Sequence, residues 1–244
     1  MLAFGDSITN GGGELQWGVA LQSWALWVAR ALGLPFTGYA EDGARADEVV
    51  ERQIPAFEER TATPDARFDV GCLYIGVNDV RADDWTPHSF EANFRSALEY
   101  LTRCSDRVLT VTAPLDLGRP RAGAKVLALN SIVERATVER GALLLDLRDF
   151  RARNHVMTDH VHPTAFGQIA IAERALELLA GDGLPARIRP RALFEYETTR
   201  WQRLRGDATY TYRHAKVSAR AAALTLAASR WPRSPRAGGA PAPE

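Results

Sequence analysis

The chain has few cysteines, no long apolar runs and none of the motifs by which sequences announce metals or nucleotides. Its two cysteines, Cys72 and Cys104, form no metal motif, and Cys72 falls in a strand-like apolar run where a buried thiol is expected. Neither a disulfide nor a zinc site is expected, and no cofactor is called for. No apolar stretch approaches the roughly 20 residues that span a bilayer, and no charged leader with a cleavage site opens the sequence. As written, the protein is expected to stay in the cytoplasm. Met1 lies almost inside the first apolar run, so an upstream segment stays open. Gly11-Gly12-Gly13 lack the Gly-Lys-Ser/Thr ending of a phosphate loop, which removes nucleotide binding there, and a His-Glu-x-x-His motif is absent.

What is present is a soluble globular composition, 46% hydrophobic and 25% charged over 244 residues, enough for one α/β domain and an extension. The net charge of zero hides an asymmetry. Residues 186–236 carry 12 Lys and Arg against 3 Asp and Glu, whereas residues 1–185 carry 18 against 26. A basic segment can meet nucleic acid or an anionic surface. Docking on its own acidic body is the simpler account, and no nucleic-acid partner is expected.

Taken in order, the apolar run Met1 to Phe4 reads as a buried strand that stops at Gly5-Asp6-Ser7. An amphipathic helix is expected from about Trp17 to Leu32, with Trp17 a candidate border of a substrate pocket. A short strand follows at about Pro35 to Ala40, then a helix over about Ala46 to Glu59 that Pro55 should kink or divide. Phe68 to Ile75 is the central strand. A helix from about Ser89 to Arg103, a strand Val108 to Ala113, a helix Ala124 to Arg140 and a strand Ala142 to Leu147 complete the alternation. The βαβα rhythm implies an α/β fold with a parallel sheet covered by helices on both faces. The domain is expected over 1–185, a basic helical extension over 186–230 and a disordered tail over 231–244.

Polar residues recur where strands end. Ser7 follows the first strand, although Gly-Asp-Ser is by itself only a turn. Gly43, in Glu41-Asp42-Gly43-Ala44-Arg45, is either a turn residue needing positive φ or a backbone N–H that approaches a reacting oxygen. Asp42 would be an awkward neighbour for that oxygen, and Arg45 is expected to neutralise it. Asn78, in Gly76-Val77-Asn78-Asp79, is either a loop residue satisfying its own backbone or an uncharged amide donor suited to an oxyanion. Thr158-Asp159-His160-Val161-His162-Pro163 precedes a helix in which Pro163 suits the first position and Gly181 the C-terminal cap. His162 can face the sheet edge where Ser7 lies, with Asp159 reaching back to orient it. His160 and His155 compete, but the Asp-x-x-His spacing favours His162, and His160 is expected to be a solvated loop residue.

These four blocks, around Ser7, Gly43, Asn78 and Asp159/His162, resemble in order the signature blocks of the SGNH hydrolases, the GDSL-type esterases and lipases. The resemblance runs from Gly5 to His162 and leaves the C-terminal part uncovered. It implies a three-layer α/β/α, flavodoxin-like domain with a five-stranded parallel sheet and a C-terminal helical extension. It further implies a Ser7–His162–Asp159 triad, with oxyanion donors from the Ser7 and Gly43 N–H groups and the Asn78 side chain. Around Ser7 the Gly-x-Ser-x-Gly elbow of α/β-hydrolases is missing. The expected activity is metal-independent hydrolysis of a small-molecule carboxylic ester with a small or medium acyl group. A simple ester, an acetylated sugar, a lysophospholipid and a thioester all suit such machinery, as does an acyltransferase, and a non-catalytic binding domain would keep the fold alone.

Overall fold

The structure is a computed structural model that describes residues 1–16, 19–61, 67–193 and 199–230. Trp17 and the tail from 231 lie outside the described residues. Five strands form one sheet in the order β2-β1-β3-β4-β5, every neighbouring pair parallel. They are β1 (Leu2–Gly5), β2 (Thr37–Gly38), β3 (Phe68–Tyr74), β4 (Ser105–Val111) and β5 (Leu143–Leu145). This is the flavodoxin-like order, whose ligands gather beyond the carboxyl ends of the strands.

Helices cover both faces. After β1 come the single turn α1 (Ser7–Asn10) and α2 (Trp24–Leu32). After β2 come α3 (Ala46–Glu48) and α4 (Ile54–Arg60), then α5 (Pro87–Cys104), α6 (Ala124–Glu139) and α7 (Ala165–Gly181), and last α8 (Arg200–Arg230). α2 packs on α7, while α5 packs on α3, α6 and the central strands. Phe90, Phe94, Ala97, Leu98 and Leu101 form the buried stripe of α5, the helical spacing that puts one face on the sheet. Phe57 of α4 meets the rings of Phe4, Tyr39 and Tyr100 at centroid distances of 6.2, 5.6 and 6.4 Å. Truncating such a residue to alanine costs about 3–5 kcal/mol.

Several expectations change. The first amphipathic helix begins at Trp24, where the Ser23 hydroxyl caps it by accepting from the Ala25 N–H. β2 shrinks to two residues, because only Leu2 and Ala3 pair with it at the sheet edge. The helix around Pro55 is divided into α3 and α4 by the turn Val49–Gln53, which widens to π spacing with the Ile54 N–H on the Val49 carbonyl. That wider turn makes room for a ring that lacks an N–H. β4 starts at Ser105, directly after α5. Pro163 precedes α7 rather than opening it, because the Thr164 hydroxyl is the cap, accepting from the Gly167 N–H at 3.1 Å. Gly181 is the last residue of that helix, and the left-handed conformation beyond it falls to Gly183, φ 85°.

α8 lies against the loops of the body along Gly206, Tyr210, His214, Val217 and Ala221, half-buried positions at helical spacing. Arg213 meets Glu14 at 2.9 Å, as a basic helix on an acidic body should. Arg153 with Asp207 reverses that polarity at 3.0 Å, and ring contacts supply the rest. Among the described residues no helix is long and apolar enough to cross a membrane.

Candidate active site

β1 delivers Ser7 to the carboxyl edge of the sheet through a turn that its neighbours clamp. A Cβ on Gly5 would run into the Tyr74 carbonyl oxygen, so only glycine fits there. The Gln53 side chain, fully buried, accepts from the Gly5 N–H at 3.0 Å and donates to the Gly5 carbonyl at 2.8 Å. Asp6 caps α1, its carboxylate accepting from the Ile8 N–H at 2.9 Å. Ser7 is thereby fixed as the first helical residue, 7% exposed.

The loop before α7 brings the other two groups to it. Ser7 Oγ lies 3.0 Å from His162 Nε2, and His162 Nδ1 lies 2.7 Å from Asp159 Oδ2. The second Asp159 oxygen accepts from the Val161 and His162 N–H groups at 2.9 and 3.1 Å, so one carboxylate fixes both the backbone and the ring of His162. The Asp159 hydrogen bond, ahead of the opposing burial, holds the His162 pKa above its ordinary value. Burial works to raise Asp159, but its bonds to His162 and the backbone outweigh this and leave its pKa lowered. An ionised Asp159 accepting from Nδ1–H leaves Nε2 with a lone pair toward the serine hydroxyl.

In the loop after β2, Gly43 adopts φ 81° with open space where a Cβ would stand, so its backbone angle, not crowding, selects glycine. Asn78 Nδ2 donates to the Ala44 carbonyl at 2.9 Å, which ties the amide to the Gly43 turn and leaves its second N–H available. Neither the Ser7 nor the Gly43 N–H has an acceptor among the described residues. Arg45 does not serve Asp42: it pairs with Asp84 at 3.0 Å, while Asp42 accepts from the Asn10 amide at 2.9 Å. Two further carboxyls lie buried beside the site. Burial raises Asp6 to about 7 and Asp79 to about 6.

Sequence reading missed the groups that hold this arrangement. Gln168 is fully buried, accepts from the Trp24 N–H at 2.8 Å and donates to the Ile8 and Gly12 carbonyls at 3.0 and 3.1 Å. It stitches α7, which follows His162, to the turn that carries Ser7. His160 is not solvated: its side chain is 12% exposed, with Nδ1 3.0 Å from Asp116 and 2.9 Å from Arg119. Its φ of 56° lies in the left-handed region, and its ring lies 5.4 Å from that of His214 on α8. Burial, then Arg119, lowers its pKa. His155 stacks on Phe150 at 5.6 Å and takes no part. Among the described residues no three His, Cys, Asp or Glu side chains are grouped as a metal ion needs, and both cysteines are free, Cys72 buried.

Residues 3–169 match the model of the GDSL-like lipase/acylhydrolase family. The chain belongs to that family. Solved GDSL and SGNH structures share its fold. A lipolytic protein of the G-D-S-L family from Veillonella parvula is 21% identical, with a TM-score of 0.58 over 73% of this chain and 97% of that one. An acetylxylan esterase from Geobacillus stearothermophilus is 20% identical, with a TM-score of 0.55 over 73% and 92%. A lipase/acylhydrolase from Enterococcus faecalis is 16% identical, with a TM-score of 0.56 over 74% and 95%. No curated protein sequence matches. Membership makes the protein a hydrolase of the GDSL/SGNH class, for which small-molecule esters are the substrate class. The family match ends before α8 begins.

Proposed function

We propose that the protein is a metal-independent serine esterase that cleaves a carboxylic ester of a small or medium acyl group through an acyl-Ser7 intermediate. The observation that carries this reading is the continuous relay from Ser7 Oγ through His162 to Asp159, at 3.0 and 2.7 Å. A serine hydroxyl is a poor nucleophile unless a base takes its proton as it attacks. Ser7 Oγ bonds to the ester carbonyl carbon while its proton passes to His162 Nε2. Asp159 stabilises the imidazolium and holds its tautomer. The tetrahedral intermediate collapses, the alcohol oxygen leaves with the proton from Nε2, and the acyl group stays on Ser7. Water then repeats the sequence, giving its proton to His162 and releasing the acid and the serine.

The oxyanion in both steps needs donors set in advance, and the Ser7 and Gly43 N–H groups with the spare N–H of Asn78 supply them in this reading. Losing one such donor costs about 10²- to 10³-fold in kcat.

The test is hydrolysis of p-nitrophenyl acetate, butyrate and octanoate by wild type and Ser7→Ala, with a chelator present. Activity that survives the chelator and vanishes in the variant is expected, the chain-length profile sizing the acyl site. Equal activity in the two proteins refutes the assignment of Ser7, and loss of wild-type activity on chelation refutes metal independence.

A further inference from the structure

Arg45, Arg81, Arg119 and Arg121 stand on the loops that follow β2, β3 and β4. Arg45 is bound to Asp84, while Arg119 and Arg121 share Asp116. Arg81 ends the 3₁₀ turn Asp79–Arg81 that follows Asn78, and it is exposed. Among the described residues its guanidinium has no hydrogen-bond or carboxylate partner, although Asp84 lies three residues on and is taken by Arg45. Its position is nonetheless defined. A Cβ on Gly118 would stand 3.7 Å from Arg81 Nε and 3.9 Å from its Cδ, and the Gly118 N–H donates to the His160 carbonyl at 2.8 Å. The side chain therefore lies against the Gly118 loop, which that bond ties to the loop holding Asp159 and His162. A second cation reaches the same turn: Lys125 Nζ donates to the carbonyl of Ala82, the residue after Arg81, at 3.1 Å, with no carboxylate partner among the described residues.

An unpaired cation here works against the chemistry. The imidazolium that forms when His162 takes a proton is disfavoured by a positive charge nearby, and Arg81 acts on His162 in that sense. Asp79, at the start of the same turn, makes no ion pair with Arg81 and has one oxygen on the Ala46 N–H at 3.2 Å. Asp116 is committed to Arg119, Arg121 and His160. Among the described residues the fork of guanidinium donors is left without an acceptor, and its shape matches a carboxylate or phosphate.

We propose that Arg81, with Lys125 reaching the same turn, is a specificity-determining residue that binds an anionic group, carboxylate or phosphate, on the alcohol portion of the ester. The alcohol side follows because His162 must hand its proton to the leaving oxygen, and Arg81 lies against the Gly118 loop that is bonded to the neighbouring His160. An anion on Arg81 also cancels its field at the imidazole, so the preference shows in kcat as well as KM. The inference rests on the esterase reading of Ser7 and His162.

The test compares matched ester pairs in wild type and Arg81→Gln: 4-acetoxybenzoate against its methyl ester, and 1-acetylglycerol 3-phosphate against 1-acetylglycerol. The readout is the ratio of kcat/KM for anionic over neutral ester within each protein, so a general loss cancels. That ratio is expected to fall about tenfold or more in Arg81→Gln, and the pair showing the larger fall identifies carboxylate or phosphate. Equal ratios in the two folded proteins overturn the proposal. Calorimetric binding of 4-hydroxybenzoate against methyl 4-hydroxybenzoate reads the same contact without turnover. Tighter binding of the acid by wild type alone supports the site even if Ser7 turns over no ester, and equal binding by both proteins overturns it.

Discussion

Replacing Gln168 by leucine tests whether one buried amide holds the two halves of the site in register. Leucine has a similar volume, so the change opens little space. It leaves three backbone groups without partners: the Trp24 N–H and the Ile8 and Gly12 carbonyls. Each buried orphan costs about 1–3 kcal/mol, and because neighbours share relaxation the total is expected at roughly 3–6 kcal/mol rather than the full sum. For a chain of this size that corresponds to a fall in Tm of about 6–20 °C. The same bonds join α7 to the turn bearing Ser7, so the Ser7–His162 separation should loosen. A misplacement on the order of 1 Å costs about 10²-fold in rate. Calorimetric melting and kcat on a p-nitrophenyl ester, measured well below the transition, give the two numbers. Thr137→Val is the control: it removes the hydroxyl 2.6 Å from Thr110, buried between α6 and β4, and should cost stability with kcat intact. A Tm for Gln168→Leu within 3 °C of wild type, or an equal loss of kcat in both variants, refutes the reasoning.

Two pH experiments probe charges at the site. His162 must be neutral to accept a proton, and its pKa is raised chiefly by Asp159, so kcat/KM should rise with pH through a midpoint above 6.5. Asp159→Asn should move that limb downward and lower kcat by roughly 10³- to 10⁴-fold; an unmoved limb would mean that another group titrates. Asp6 holds its proton up to about 7 in the fold, against 3.8 for the ordinary group. Between those values the folded chain binds a proton that the unfolded chain has released, so stability falls as pH rises through that window, by up to about 4 kcal/mol. Asp6→Asn keeps the cap acceptor and should flatten the difference in urea stability between pH 5 and pH 8. An unchanged difference in the variant assigns the slope to other groups.

The sequence by itself determined the order of strands and helices, because apolar runs of strand length alternating with helical stripes admit a parallel sheet and little else. It also made Ser7, Gly43, Asn78 and Asp159/His162 visible, since strand-end turns and an Asp-x-x-His spacing are local patterns. Gln53 and Gln168 stayed hidden for a physical reason. A glutamine on a helix looks like a surface residue until tertiary packing aims its amide at backbone 48 or 160 positions away. The same holds for His160, whose partners Asp116 and Arg119 come from one distant loop and His214 from α8. The tertiary structure also decided where charge goes, giving Arg45 to Asp84 and setting Arg81 against the Gly118 loop. Local pattern places a side chain at the end of a strand; only the packing of distant segments decides what it meets there.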